Sequence, residues 1–115
     1  MGYTAIVTED LFLATKAQDI LTRSGVTARR VAPAALGAAD PPDVVVLDLG
    51  LPPEVRTAVL ELADGRAPVV AFGPHIDATS LFWARQSGCA AVLTKGQLEA
   101  RLGRAVLGAL EDTAP

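Results

Sequence analysis

Four short apolar runs, Ala5-Ile6-Val7, Val44-Val45-Val46-Leu47, Val69-Val70-Ala71-Phe72 and Ala91-Val92-Leu93, constrain the fold of this chain more than any other feature. Each is too short for a helix. The middle two are apolar at every position, without the alternation of a strand that keeps one face in water. Such runs read as strands covered on both faces, the pattern of a parallel sheet. Val26 to Val31 differs, because it carries Arg29 and Arg30, and reads as an edge strand.

Helical periodicity fills the intervals. Leu13, Ala17, Ile20 and Leu21 form one stripe, stopped by Gly25. Val55, Val59, Leu62 and Ala63 form another between Pro53, at a first helical position, and Gly65. Leu81, Ala84 and Arg85 follow an Asp77 cap and end at Gly88, and Leu98, Leu102, Ala105, Val106 and Ala109 make the last stripe. The segment from Pro33 to Asp40 has room for about two turns and is expected to form a short second helix. The resulting βαβαβαβαβα order predicts one α/β domain over residues 1–115, with helices on both faces of a five-stranded parallel sheet. The most apolar runs belong at its centre and the arginine-bearing run at an edge, which gives the order 2-1-3-4-5.

Composition narrows the function classes. With half of its 115 residues hydrophobic and a fifth charged, the chain has enough apolar surface for one core. Ten basic against thirteen acidic side chains give a net charge of −3, which lacks the basic excess of a nucleic-acid binder. The single cysteine, Cys89, excludes an internal disulfide or a Cys-rich zinc site and fits a reducing, cytoplasmic compartment. Acids at Glu9 and Asp10 interrupt the first apolar run, so neither a signal peptide nor a membrane span is expected.

In open parallel sheets ligands bind at the carboxyl ends of the strands. Here those ends carry Thr8-Glu9-Asp10, Asp48, Gly73-Pro74-His75 and Thr94-Lys95-Gly96. Acids, a single aspartate and a lysine on converging strand ends suit a site that holds a divalent cation and a phosphoryl group on a carboxylate. The strings Ile6-Val7-Thr8-Glu9-Asp10, Pro42 through Pro52, Pro68 through Phe72 and Gly88 through Lys95, in that order, resemble the response-regulator receiver domain over nearly the whole chain. The resemblance implies a single-domain, flavodoxin-like, receiver-type three-layer fold. It implies Asp48 as phosphoacceptor, Lys95 as the phosphoryl contact, and a pocket of Thr8, Glu9, Asp10 and Gly73. It also implies magnesium held by Glu9, Asp48 and the Gly50 carbonyl.

The departures from that pattern define what to expect of the site. Thr8 stands in place of an acid and Gly73 in place of a hydroxyl residue, Val92 replaces a mobile aromatic, and Gly96 replaces a proline. Magnesium is therefore expected to bind weakly, and the chain to act as an atypical or pseudo-receiver in a two-component-type phosphorelay pathway, through contact with another protein such as a kinase or downstream target. Simpler roles compete at several positions. Asp48 and Lys95 also read as a structural ion pair, Asp10 as a helix cap, and Thr94 with Gln97 as a capping box. Phe82 and Trp83 are adjacent, so one helix face cannot bury both. With Leu98 and Leu102 they are expected to form a contact surface on the fourth and fifth helices, open to a partner or to a second copy in a homodimer. The competing function is a small flavodoxin-like nucleotide- or flavin-binding domain or enzyme. That function needs an anion cradle after the first strand, where this chain has Glu9 and Asp10.

Overall fold

The runs Val44 to Leu47 and Val69 to Phe72 are buried along their whole length, and they are neighbouring inner strands of one parallel sheet. In the computed structural model, which describes residues 2–38 and 40–112, the strands are β1 (Thr4–Val7), β2 (Ala28–Arg30), β3 (Val44–Asp48), β4 (Val69–Gly73) and β5 (Ala91–Thr94). Their order is β2-β1-β3-β4-β5 and every pairing is parallel. The edge position of β2 follows from Arg29 and Arg30, both exposed, because a charged pair has no place between two apolar neighbours.

Among the described residues four α-helices cover the sheet: α1 (Leu11–Arg23), α2 (Pro53–Ala63), α3 (Ala78–Gln86) and α4 (Leu98–Asp112). Helices α1 and α4 pack on one face around Ile6, Val44, Val46, Phe72 and Leu93. Helices α2 and α3 pack on the other around Val7, Val45, Leu47 and Ala71. Residues alternate between the two faces along each strand, as the pleat requires. Asp10 starts α1 by accepting from the N–H groups of Phe12 and Leu13 at 3.0 and 3.1 Å, and Gly25 follows its end at φ 82°, a conformation that suits glycine.

Two expectations need correction. The segment after Pro33 is a 3-10 helix, Pro33–Gly37, and not an α-helix. Proline and glycine bound a stretch that supplies one buried side chain, Leu36, too little apolar surface to hold a longer helix against the sheet. Leu98 and Leu102 are 0% exposed inside the α1/α4 core, so they cannot form a contact surface. Their four-residue spacing points both at the sheet. Of the adjacent aromatics, Phe82 is 60% exposed, while Trp83 is half-buried against the α2/α3 core.

Candidate functional site

Strands β1 and β3 run in register from Thr4 opposite Val44 to Val7 opposite Leu47, so the next residues, Thr8 and Asp48, arrive side by side. The Thr8 hydroxyl donates to Asp48 Oδ2 at 2.6 Å and accepts from the Asp10 N–H at 3.1 Å. The Gly50 N–H donates to Asp48 Oδ1 at 2.8 Å. A side-chain carbon on Gly50 would stand 3.0 Å from that oxygen, so a larger residue there would crowd the carboxylate and require it to give slightly. Asp48 is only 6% exposed, and each carboxylate oxygen has a protein donor. These donors meet part of the acceptor capacity of the group, since each carboxylate oxygen can take more than one hydrogen bond. Arg30 adds a hydrogen bond from Nε to the Thr8 carbonyl at 2.9 Å, which ties β2 to the same corner.

Above Asp48 lies an open hollow of about 270 Å³ lined by Glu9, Asp10, Asp48, Gly50, Leu51, Pro52 and Lys95. The sequence-derived set thus converges, with Asp48 at the floor and the exposed Glu9 and Lys95 at the rim. Lys95 makes no ion pair with Asp48; among the described residues the ion pairs join Arg23 to Asp19 and Glu99, and Arg29 to Asp40. The reading of Asp48 and Lys95 as a structural pair is therefore overturned, because the donors on Asp48 are Thr8 and Gly50. The capping box is present: Gln97 Oε1 accepts from the Thr94 N–H at 3.0 Å, and it sets the turn that carries Lys95.

Gly73 ends β4 against Leu49. A side-chain carbon there would lie 3.3 Å from Leu49 Cβ, so a hydroxyl residue at this position requires Leu49 to give way. Asp10 Oδ1 takes two N–H groups of the α1 N-terminus, which leaves less of that terminus for an anion and weighs against a nucleotide cradle. A larger hollow of about 650 Å³ lies between α1 and α4, where Arg23 and Glu99 pair with each other at 2.7 Å. Cys89 is half-buried, and burial pushes its thiol pKa up, away from the reactive thiolate.

The donor set fits magnesium poorly. A hard divalent cation takes about six oxygen ligands, with carboxylates providing most of the affinity. Among the described residues no group of three or more His, Cys, Asp or Glu side chains is arranged to hold a metal. Thr8 brings a hydroxyl already donated to Asp48 and Asp10 caps α1, so Glu9 and Asp48 remain as the candidate charged ligands, with the Gly50 carbonyl as the neutral one.

One residue at the site gave no signal in the sequence. Arg56, on α2, reaches back with Nη1 to the Leu49 carbonyl at 3.3 Å and to Ser80 Oγ on α3 at 2.9 Å. Its guanidinium carbon lies 4.8 Å from the centre of the Trp83 ring. Ser80 also engages Asp77, the α3 cap, through its N–H at 3.1 Å. Hydrogen bonds from the Ser80 side chain and backbone hold the Asp77 carboxyl below the usual range, with the Arg56 charge adding to them.

Strand order, helix placement and the aspartate at the end of β3 together define a receiver-type α/β fold. Solved receiver domains superpose on it along their length. A response regulator receiver protein from Burkholderia phymatum matches with a TM-score of 0.82 at 23% identity, covering 100% of this chain and 99% of that one. The N-terminal signal receiver domain of a two-component response regulator from Bacteroides fragilis matches with a TM-score of 0.79 at 21% identity, covering 96% and 97%. The match to NtrX from Brucella abortus, with a TM-score of 0.78 at 22% identity, covers 97% of this chain and 27% of that larger one. No protein-family model matches the chain, and no curated protein matches it in sequence.

Proposed function

We propose that this chain is a receiver-like signalling module of a two-component-type pathway that acts by binding another protein, with weak or absent phosphorylation at Asp48. The observation that carries the reading is the 2.6 Å hydrogen bond from Thr8 to Asp48, made where a second carboxylate would strengthen a cation site. For Asp48 to accept a phosphoryl group, a carboxylate oxygen must attack phosphorus while the bond from phosphorus to the donor's bridging oxygen or nitrogen breaks and its electron pair leaves with the donor. A hydrogen bond to Oδ2 withdraws charge from that nucleophile. Poor cation binding leaves the transferring group with Lys95 as its main counter-charge, where phosphoryl transfer depends on electrostatic stabilisation.

Gly73 supports the same reading, since it offers no hydroxyl to follow a phosphoryl group, and the helix that β4 leads into presents Phe82 to solvent. A partner contact or a homodimer centred on Phe82 is the output this surface supports; Leu98 and Leu102 take no part. The test is intact-mass measurement after incubation with a small phosphodonor and magnesium, with Asp48→Asn as the control. The expected result is little or no added phosphoryl mass. A near-stoichiometric, lasting adduct that disappears in Asp48→Asn would contradict it.

A further inference from the structure

We infer that Arg56 couples the turn after Asp48 to helix α3, standing in for the hydroxyl that Gly73 lacks. The inference deepens the signalling reading above and rests on it for its meaning, though its test does not. Arg56 is half-buried, yet no carboxylate lies within ion-pairing distance of it among the described residues. Its side chain donates to the Leu49 carbonyl, one residue beyond Asp48, and to Ser80 Oγ in the first turn of α3. Both bonds come from the same nitrogen, Nη1, so the two acceptors share one donor group.

That geometry has a consequence for motion. The Asp48 turn is anchored through Asp48 itself, by Gly50 on Oδ1 and Thr8 on Oδ2. Any change at the carboxylate that shifts Leu49 alters the longer of the two Arg56 bonds, at 3.3 Å, and moves the guanidinium relative to Ser80 and the Trp83 ring. A cation near an aromatic face interacts with it over such distances. Arg56 Nε is buried without a hydrogen-bond partner among the described residues. Helix α3 carries the exposed Phe82 beside Trp83, so a change at Asp48 would reach the proposed contact surface through one side chain.

Trp83 is the only tryptophan in the chain, and its accessibility to acrylamide therefore reports this junction alone. The experiment compares the effect of Asp48→Ala on Trp83 quenching in the natural chain and in an Arg56→Met background, which keeps an unbranched apolar stem but no donors. Thr8→Val, which keeps Asp48 and removes only one anchor, serves as the second perturbation should Asp48→Ala fail to fold. The expected result is a change of about twofold in the natural chain, the size of modest couplings between packed elements, and little change with Met at 56. Equal changes in both backgrounds, or none in the natural chain, would overturn the inference. A purely structural Arg56 would lower stability and leave the response to Asp48 intact. No phosphodonor is used, so this outcome is independent of whether Asp48 is phosphorylated.

Discussion

The two faces of the sheet are built on different principles. On the α1/α4 face the buried core is apolar: Leu98, Leu102 and Val106 are fully buried, and α4 comes so close to the end of α1 that a side chain at Gly103 would collide with the Ser24 hydroxyl. Its charged groups stay at the rim, where Arg23 bridges Asp19 and Glu99, and exposed pairs of this kind add little stability. On the α2/α3 face the apolar core is fringed by half-buried side chains, among them Val55, Leu60, Leu62 and Trp83, and the helices are joined by the polar link from Arg56 to Ser80. Close packing admits few alternative arrangements. The α2/α3 face is held partly by side-chain hydrogen bonds from Arg56, at 2.9 Å to Ser80 and 3.3 Å to the Leu49 carbonyl, and on this account it is the more adjustable side.

The largest expected effect sharpens that contrast. Leu102→Ala should lower unfolding free energy by about 3–4 kcal/mol, as for other fully buried leucines, with native Trp83 emission unchanged; denaturant titration reads both. A loss under about 1 kcal/mol would mean that the α1/α4 face yields as readily as the other. Trp83→Ala, at a half-buried site, should cost about 2 kcal/mol, below the range for a core tryptophan. Phe82→Ala should stay within about 0.5 kcal/mol of the natural chain while weakening association measured by light scattering or partner capture. Unchanged association with a large fall in melting temperature would place Phe82 in the core and break the comparison.

The smallest effect is an acid dependence at the start of α3. The Asp77 pKa is lowered in the folded chain by its Ser80 hydrogen bonds. Its contribution to stability is therefore complete above the unfolded value of 3.8 and is lost as pH falls through the lower folded value. The melting-temperature gap between the natural chain and Asp77→Asn should narrow from about pH 6 to about pH 3. A gap that widens on acidification would reverse the assigned shift.

What could be read from the sequence and what could not divide along local and long-range lines. Strand positions and order were legible because β3 and β4 are apolar at every residue and β2 carries two arginines. The Asp10 cap, the Gly25 stop and the Thr94–Gln97 box were legible because each acts within a few residues of itself. The convergence of Glu9, Asp48 and Lys95 followed from strand ends alone. Thr8 was legible as a missing charge but not as the donor to Asp48, a partner 40 residues away. Arg56 was silent, since an arginine on an exposed-looking helix turn reads as solvated until the fold sets Ser80, 24 residues on, against it. Leu98 and Leu102 were misplaced because a helical stripe shows that one face is apolar without showing which way it turns.

The central claim is that the Asp48 site, with Thr8 where a second carboxylate would stand, binds a cation weakly. Calorimetric titration of magnesium into the natural chain and into Thr8→Asp tests it most directly. The substitution removes the donor from Oδ2 and adds a second carboxylate beside it, so affinity should rise by about tenfold or more, following the carboxylate count. Thr8→Asp should also be less stable without magnesium, because two carboxylates then face each other, and regain stability as the ion is added. Weak heats in the natural chain and a clear gain in Thr8→Asp are the predicted result; tight binding by the natural chain, or equal affinity in both, would contradict the account.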